Sequence, residues 1–232
     1  MSTLPIAAQM YTVRDASAQD FPGTLKRIAE LGFAGVELAG TFNMDTSALA
    51  QLLSDLELRC VSAHIPLSDL KYRLKQQIET YRALGATYLV CPWLAPDERG
   101  DEITYRELAK LLNRVGAECR ANGLQLCYHH HDFELRKFAG GSALDILLQE
   151  TSPENLQLEA DTYWLKYGGE NPAAYVSKWV GRVPLLHLKD MTRTAPPTFA
   201  EVGSGTLDWA SIFKAAETGR TQWYIIEQDI CP

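Results

Sequence analysis

The segment Leu124–Glu134 reads LQLCYHHHDFE and joins a short apolar run to a dense group of ionisable side chains. The run alternates apolar and polar residues, which is typical of a β-strand, and the ionisable residues follow where this strand ends. Successive side chains of a strand point to opposite faces, so we expect His129 and His131 to lie on one side and His130 on the other. Imidazoles and carboxylates bind divalent metals and transfer protons near neutral pH.

Similar apolar runs recur along the chain and alternate with amphipathic helical patterns. The predicted strands are Pro5–Tyr11, Gly35–Leu38, Leu58–His64, Thr87–Trp93, Leu124–Cys127, Leu156–Asp161, Val183–Asp190 and Gln222–Glu227. The predicted helices are Asp20–Leu31, Asp45–Leu56, Asp69–Leu84, Thr104–Asn122, Ser142–Gln149, Asn171–Val180 and Asp208–Thr218. Strands separated by helices pair in parallel, and eight of them predict a closed (β/α)8 barrel. A doubly wound sheet is the alternative, but no Gly-x-Gly-x-x-Gly follows the first strand.

Composition narrows the class of protein. The 232 residues are 46% hydrophobic and 22% charged, which suits one globular domain over residues 1–232. The formal net charge of −7 disfavours a nucleic-acid partner and is compatible with a small-molecule substrate. The five cysteines are scattered, and neither a signal peptide nor a run long enough to span a membrane is evident, so we expect a cytoplasmic protein.

Acids and imidazoles recur at the ends of the predicted strands. They are Glu37, His64, the residues 129–134, Asp161, His187 with Lys189, and Glu227. The carboxyl ends of barrel strands meet at one mouth, so these groups are expected to converge there. Oxygen and imidazole ligands without paired thiolates suit Mn²⁺, Zn²⁺, Mg²⁺ or Fe²⁺. Such an ion can stabilise an enolate while a nearby carboxylate or imidazole moves the proton.

Several of these motifs resemble one known family. Gly35–Leu38, His64, Tyr128–Glu134, Leu158–Trp164, Val183–Asp190, Glu201–Trp209 and Tyr224–Asp229 are similar to the sugar phosphate isomerase/epimerase family of xylose isomerase-like TIM barrels. The resemblance implies a divalent ion, most often Mn²⁺, held by Glu134, Asp161, His187 and Glu227. One of the imidazoles from His129 to His131 is an alternative to Glu134.

The resemblance also implies roles for the remaining residues. The candidate catalytic residues are Glu134, Glu227 and His131. The candidate substrate-binding residues are Glu37, His64, His129, Lys189 and Glu201. In family members that act as epimerases, two metal-binding carboxylates exchange the proton, and by match these are Glu134 and Glu227.

The sequence therefore predicts a metal-dependent isomerase or epimerase acting on a sugar or keto-sugar through an enolate. A lyase or dehydratase acting on a 3-keto sugar or inosose is the first alternative, and an inactive sugar-binding barrel is another. A nuclease resembling endonuclease IV is disfavoured by the negative net charge. The chain ends at Cys231-Pro232 without the last barrel helix, so either the chain is truncated or a partner replaces the helix. An uncovered apolar strand face favours association or lower stability, and a homo-oligomer is one of the expected outcomes.

Overall fold

Eight strands form a closed parallel barrel. The computed structural model describes residues 4–231. The barrel strands are β1 (Ile6–Gln9), β2 (Gly35–Leu38), β3 (Arg59–His64), β4 (Tyr88–Cys91), β5 (Gln125–His129), β6 (Leu156–Asp161), β7 (Leu185–Leu188) and β8 (Trp223–Ile226). Their order around the barrel is β1-β8-β7-β6-β5-β4-β3-β2, and β1 pairs in parallel with both β2 and β8. The predicted (β/α)8 fold class is confirmed.

Ten α-helices lie between the strands within residues 4–231. They are α1 (Arg14–Gln19), α2 (Phe21–Glu30), α3 (Thr46–Asp55), α4 (Leu67–Tyr72), α5 (Leu74–Ala83), α6 (Glu102–Ala121), α7 (Ala143–Gln149), α8 (Thr162–Tyr167), α9 (Pro172–Lys178) and α10 (Trp209–Gly219). The sequence did not predict α1 and α8, because six residues are too few to show a helical period. It also missed the break at Arg73, which divides the predicted helix Asp69–Leu84 into α4 and α5.

Helix ends follow the capping residues that the sequence offers. The Asp45 side chain accepts hydrogen bonds from the backbone N–H groups of Ser47 and Ala48, so it caps α3. Gly123 follows α6 with a φ of 81°, a conformation that suits glycine because it has no Cβ. No helix within residues 4–231 is long and apolar enough to cross a membrane.

The core has two apolar layers. The larger one lies between the sheet and the helices and includes Leu25, Leu49, Leu112 and Leu144. The smaller cluster comes mainly from the strands, and it comprises Ala7, Val61, Tyr88, Val90, Cys127, Leu185, Trp223 and Ile225. The candidate functional side chains lie two residues further along three of these strands.

Candidate active site

Functional side chains follow apolar members of the strand cluster by two residues. His129 follows Cys127, His187 follows Leu185, and Glu227 follows Ile225. Because residues i and i+2 of a strand share a face, these three side chains continue the apolar column toward the carboxyl end of the barrel. The strand period fixes the face on which each side chain lies, and the parallel pairing of the closed barrel brings these groups from distant segments to one mouth.

Four of these side chains form a compact group. His129, Asp161, His187 and Glu227 each offer a nitrogen or oxygen atom, and these atoms lie within 4.8 Å of one another. His187 Nδ1 is 2.9 Å from Glu227 Oε2 and 3.9 Å from Asp161 Oδ2. All four residues are buried. The structure thus brings together three of the four predicted metal ligands, Asp161, His187 and Glu227, and adds His129 in the fourth position.

The hydrogen bonds at this group fit a divalent cation. His129 Nδ1 lies 3.2 Å from the Pro92 carbonyl oxygen, which fixes the proton on Nδ1 and leaves a lone pair on Nε2. His129 Nε2 and Asp161 Oδ2 are both buried without a hydrogen-bond partner and stand 3.5 Å apart. A buried nitrogen without a partner is costly, so a bound cation would satisfy His129 Nε2 and add to the positive charge that Lys189 places 3.0 Å from Asp161 Oδ2. Two imidazoles and two carboxylates suit Mn²⁺, Fe²⁺ or Zn²⁺.

Glu37 lies beneath this group and does not reach the cavity. It accepts hydrogen bonds from Gln9 Nε2 at 2.6 Å and Ser62 Oγ at 2.5 Å, and His187 Nε2 lies 2.7 Å from its Oε1. Burial would raise the pKa of Glu37, but His64 and His187 outweigh burial and hold the pKa well below its usual value. Glu37 is fully buried outside the cavity lining and contacts His187, so its contact with substrate stays a prediction from the resemblance.

Lys189 stands beside the four-residue group as a fixed cation. Its Nζ lies 2.7 Å from Glu227 Oε2 and 3.0 Å from both Asp161 Oδ2 and Asp229 Oδ2. The contact with Asp161 Oδ2 is an ion pair. Burial would lower the pKa of Lys189, but the three carboxylates outweigh burial and raise it. Lys189 is completely buried and contacts three carboxylates. Its contact with substrate stays a prediction from the resemblance.

The three consecutive histidines have three different environments. His129 and His131 both line the central cavity, while His130 is fully buried on the opposite face of the strand, as the alternation predicted. His130 Nε2 accepts a hydrogen bond from the Asp161 backbone N–H at 3.1 Å, and its Nδ1 lies 3.0 Å from the His131 carbonyl oxygen. His130 therefore ties the end of β5 to the end of β6. Burial lowers its pKa to about 4 and keeps the ring neutral.

Glu134 lies apart from the four-residue group. It accepts hydrogen bonds from Tyr128 Oη at 2.5 Å and from the His131 backbone N–H at 2.9 Å. Burial raises the pKa of Glu134 to about 7 despite these two donors. Its carboxylate is fully buried and does not line the cavity, so the structure does not bring it to the other predicted ligands.

A cavity of about 770 Å³ opens beside the four-residue group. Its lining includes His64, His129, His131, Glu227 and Asp229. His64 Nε2 lies 2.9 Å from Glu159 Oε2 and 3.1 Å from Glu37 Oε1. Burial would lower the pKa of His64, but these two carboxylates outweigh burial and raise it to about 10. His64 therefore lines the cavity, and its contact with a substrate stays a prediction.

His131 and Glu201 complete the set of predicted site residues. Burial, together with His129 and Lys189, lowers the pKa of His131 to about 2, and its Nδ1 is buried without a hydrogen-bond partner. Glu201 is exposed and lies outside the cavity lining. The structure thus brings His131 to the cavity and leaves Glu201 at the surface.

Two buried acids were missed by the sequence analysis. Glu159 contacts both His64 and His187, and its place two residues before Asp161 on the same strand face was a usable signal. Asp190 accepts hydrogen bonds from the backbone N–H groups of Met191, Gly203, Gly205, Thr206 and Leu207 and from Trp209 Nε1. Asp190 therefore holds the segment between β7 and α10 in place, and no pattern in the sequence predicted that role.

Comparison with known proteins agrees with this barrel fold. Residues 25–230 match the family model described as xylose isomerase-like TIM barrel. The chain belongs to this family. An inosose dehydratase of Geobacillus kaustophilus (strain HTA426) is 27% identical, over 90% of this chain and 80% of its own length. With a metal-ligand group in a closed barrel and relatives of this kind, this family member is an enzyme.

Solved structures share the fold. A sugar phosphate isomerase/epimerase from Parabacteroides distasonis ATCC 8503 superposes with a TM-score of 0.85 at 21% identity, over 100% of this chain and 88% of that chain. The IOLI protein with a bound zinc atom superposes with a TM-score of 0.79 at 12% identity, over 97% of this chain and 89% of that chain. At these identities the structures establish that this xylose isomerase-like barrel has the fold of its family.

Proposed function

We propose that this enzyme is a divalent-metal-dependent lyase that removes a β-substituent, such as water, from a keto-sugar or inosose through an enolate. The observation that carries the proposal is the group His129, Asp161, His187 and Glu227 beside the cavity, in which the buried His129 Nε2 has no hydrogen-bond partner within residues 4–231. These residues would hold the ion, and Mn²⁺ is our first choice because the donors mix oxygen and imidazole. A bound ion supplies Lewis-acid polarisation of the substrate carbonyl.

The protein's own side chains supply an acid and a base. Asp229 lines the cavity, and burial raises the pKa of its carboxyl group, so its carboxylate can accept the proton from the carbon beside the carbonyl. His64 lines the same cavity, and its Nε2 contacts Glu37 and Glu159. Two adjacent carboxylates favour the protonated ring, so His64 can donate its Nδ1 proton to the departing oxygen.

The position of Glu134 favours elimination over a two-carboxylate proton exchange. That exchange needs a carboxylate on each side of the reacting carbon, and Glu134 is buried against Tyr128 outside the cavity. The inosose dehydratase name of the 27% identical relative supports the same reaction class. An isomerase or epimerase is the second candidate, because Glu227 and Asp229 both line the cavity and provide two carboxylates.

Incubation in D₂O separates these reactions. The protein is stripped of metal, reloaded with Mn²⁺ or Zn²⁺, and incubated with inososes, 3-keto sugars and ketoses while mass spectrometry follows the substrate. Loss of water or of another substituent supports the lyase. Deuterium incorporation without loss supports the isomerase or epimerase. His187→Ala is the control, and it should abolish both metal uptake and turnover because it removes a ligand.

Absence of metal uptake by the unmodified protein would contradict both enzyme candidates and would favour a sugar-binding barrel. Self-association and cytoplasmic location stay predictions from the sequence. Light scattering after gel filtration tests the first, and cell fractionation tests the second.

A further inference from the structure

The cavity reaches well beyond the candidate metal ligands. Those ligands come from β5, β6, β7 and β8, which are consecutive around the barrel. The cavity continues across the mouth to the segments that follow β1, β2, β3 and β4. On that side its lining includes Tyr11, Gly40, Asp69, Tyr81 and Trp93. None of these five residues belongs to a candidate metal group within residues 4–231.

The cavity is larger than a single sugar ring. Cavities that bury drug-sized ligands span roughly 300–1,000 Å³, and the cavity volume of about 770 Å³ lies in the upper part of that range. A single sugar ring is smaller than such ligands. A ring held beside His129 and Glu227 would therefore leave the side that follows β1 to β4 unfilled.

Two aromatic rings stand on this unfilled side. Tyr11 and Trp93 line the cavity, and each exposes 44% of its surface. The Arg14 guanidinium lies 4.3 Å from the Tyr11 ring centre, and the Arg99 guanidinium lies 4.9 Å from the Trp93 ring centre. Arg99 is itself held, since its Nε donates to the Leu94 carbonyl oxygen at 2.9 Å. Both rings are thus fixed in place and exposed, which is the arrangement of a stacking surface.

Polar groups lie further along the same side. Asp69 and Gln77 line the cavity, and Gln77 Nε2 donates to Asp69 Oδ2 at 3.1 Å. Their remaining donor and acceptor capacity suits hydroxyl groups at the edge of a second ring. We define the distal subsite as Tyr11, Asp69, Gln77 and Trp93.

We propose that the distal subsite binds a ring-bearing substituent on the sugar, so that the substrate is a glycoside and not a free monosaccharide. The inference rests on the proposed function, because it assumes that the reacting sugar ring lies beside the metal ligands. The substituent is a second sugar ring or an aryl group, since either presents a flat face to Trp93.

The expected reaction is a β-elimination, in which the substituent is attached to the carbon β to the carbonyl. The base takes the proton from the carbon beside the carbonyl, and a carbon–carbon double bond forms. The carbon–oxygen bond to the substituent breaks, its electron pair leaves on the oxygen, and that oxygen gains a proton. The products are an unsaturated ketone and a free alcohol, without an oxidant or reductant.

Equilibrium binding tests the subsite without turnover. The protein, with and without added metal, is titrated calorimetrically with glucose, phenyl β-glucoside and cellobiose, none of which carries a ketone. We expect at least one of the two ring-bearing probes to bind ~10-fold more tightly than glucose, the size of one stacking contact. Trp93→Ala should remove that difference. Tyr72→Ala is the matched control, because Tyr72 is 83% exposed and lies outside this cavity.

The outcomes are distinct. Tighter binding of phenyl β-glucoside alone identifies an aryl group, and tighter binding of cellobiose alone identifies a second sugar. Equal affinity for all three probes, or a preference that survives Trp93→Ala, would overturn the subsite. Failure of the proposed function would show instead as absent metal uptake and turnover, and the probe preference does not depend on either.

Discussion

Glu37 Oε1 lies 2.7 Å from His187 Nε2, although the two residues are 150 positions apart in the sequence. This contact holds one ring proton of His187 on Nε2, and Nδ1 lies 2.9 Å from Glu227 Oε2 on the other side of the ring, where a bound cation would replace the second ring proton. Gln9 and Ser62 hold the Glu37 carboxylate from the strands on either side. Glu37 thus orients a candidate metal ligand, the role that carboxylates commonly play behind metal-binding histidines.

Replacing Glu37 by Gln should weaken metal binding without changing its stoichiometry. The amide is a weaker acceptor for His187 Nε2–H, so the ring is oriented less firmly, and we expect metal affinity to fall about 10- to 100-fold. Competition with a fluorescent chelator measures this affinity. Glu30→Gln, an exposed change on α2, is the control. An unchanged dissociation constant for Glu37→Gln would rule out the orienting role.

The fourth metal ligand can be decided by two variants. His129→Ala should lose bound metal, because it removes a nitrogen that faces Asp161 at 3.5 Å. Glu134→Gln should keep the metal, because Glu134 lies outside the four-residue group. Elemental analysis after gel filtration gives the stoichiometry, and circular dichroism checks that each variant is folded. The reverse pattern would return Glu134 to the position that the sequence resemblance implies.

Glu134 should make stability depend on pH. Its pKa is raised from 4.5 to about 7, so between these values the folded protein retains a proton that the unfolded chain has lost. The contribution of Glu134 to the free energy of unfolding is fully present below pH 4.5 and is lost as the pH rises through 7. The loss amounts to roughly 3 kcal/mol. Urea unfolding at several pH values measures the effect, and Glu134→Gln should remove it. Identical pH profiles for the two proteins would disprove the prediction.

His130→Ala should destabilise the barrel. It leaves the Asp161 N–H and the His131 carbonyl without their present partners in a fully buried place. Two unsatisfied buried groups cost about 2–5 kcal/mol of unfolding free energy, which urea denaturation measures. His131→Ala is the comparison and should cost less, because its Nδ1 has no hydrogen-bond partner to lose. Equal losses in the two variants would show that His130 does not bridge β5 and β6.

Much of the fold could be predicted from the sequence because it depends on local patterns. The strand Leu156–Asp161 was predicted with the observed bounds, and the helix after Asp45 begins one residue later, with Asp45 as its cap. These elements depend on periodicity and on capping by neighbouring residues. The short helices α1 and α8 escaped prediction because their patterns are too brief.

The sequence by itself determined that acids and imidazoles end the strands of a barrel and meet at one mouth, because alternation along a strand fixes which side chains share a face. Only the tertiary structure decided that His129 and not Glu134 joins Asp161, His187 and Glu227, and that Glu201 stays at the surface. The reason is physical. Which atom is free to bind a cation depends on hydrogen-bond partners from other strands, such as the Pro92 carbonyl for His129 and Tyr128 for Glu134.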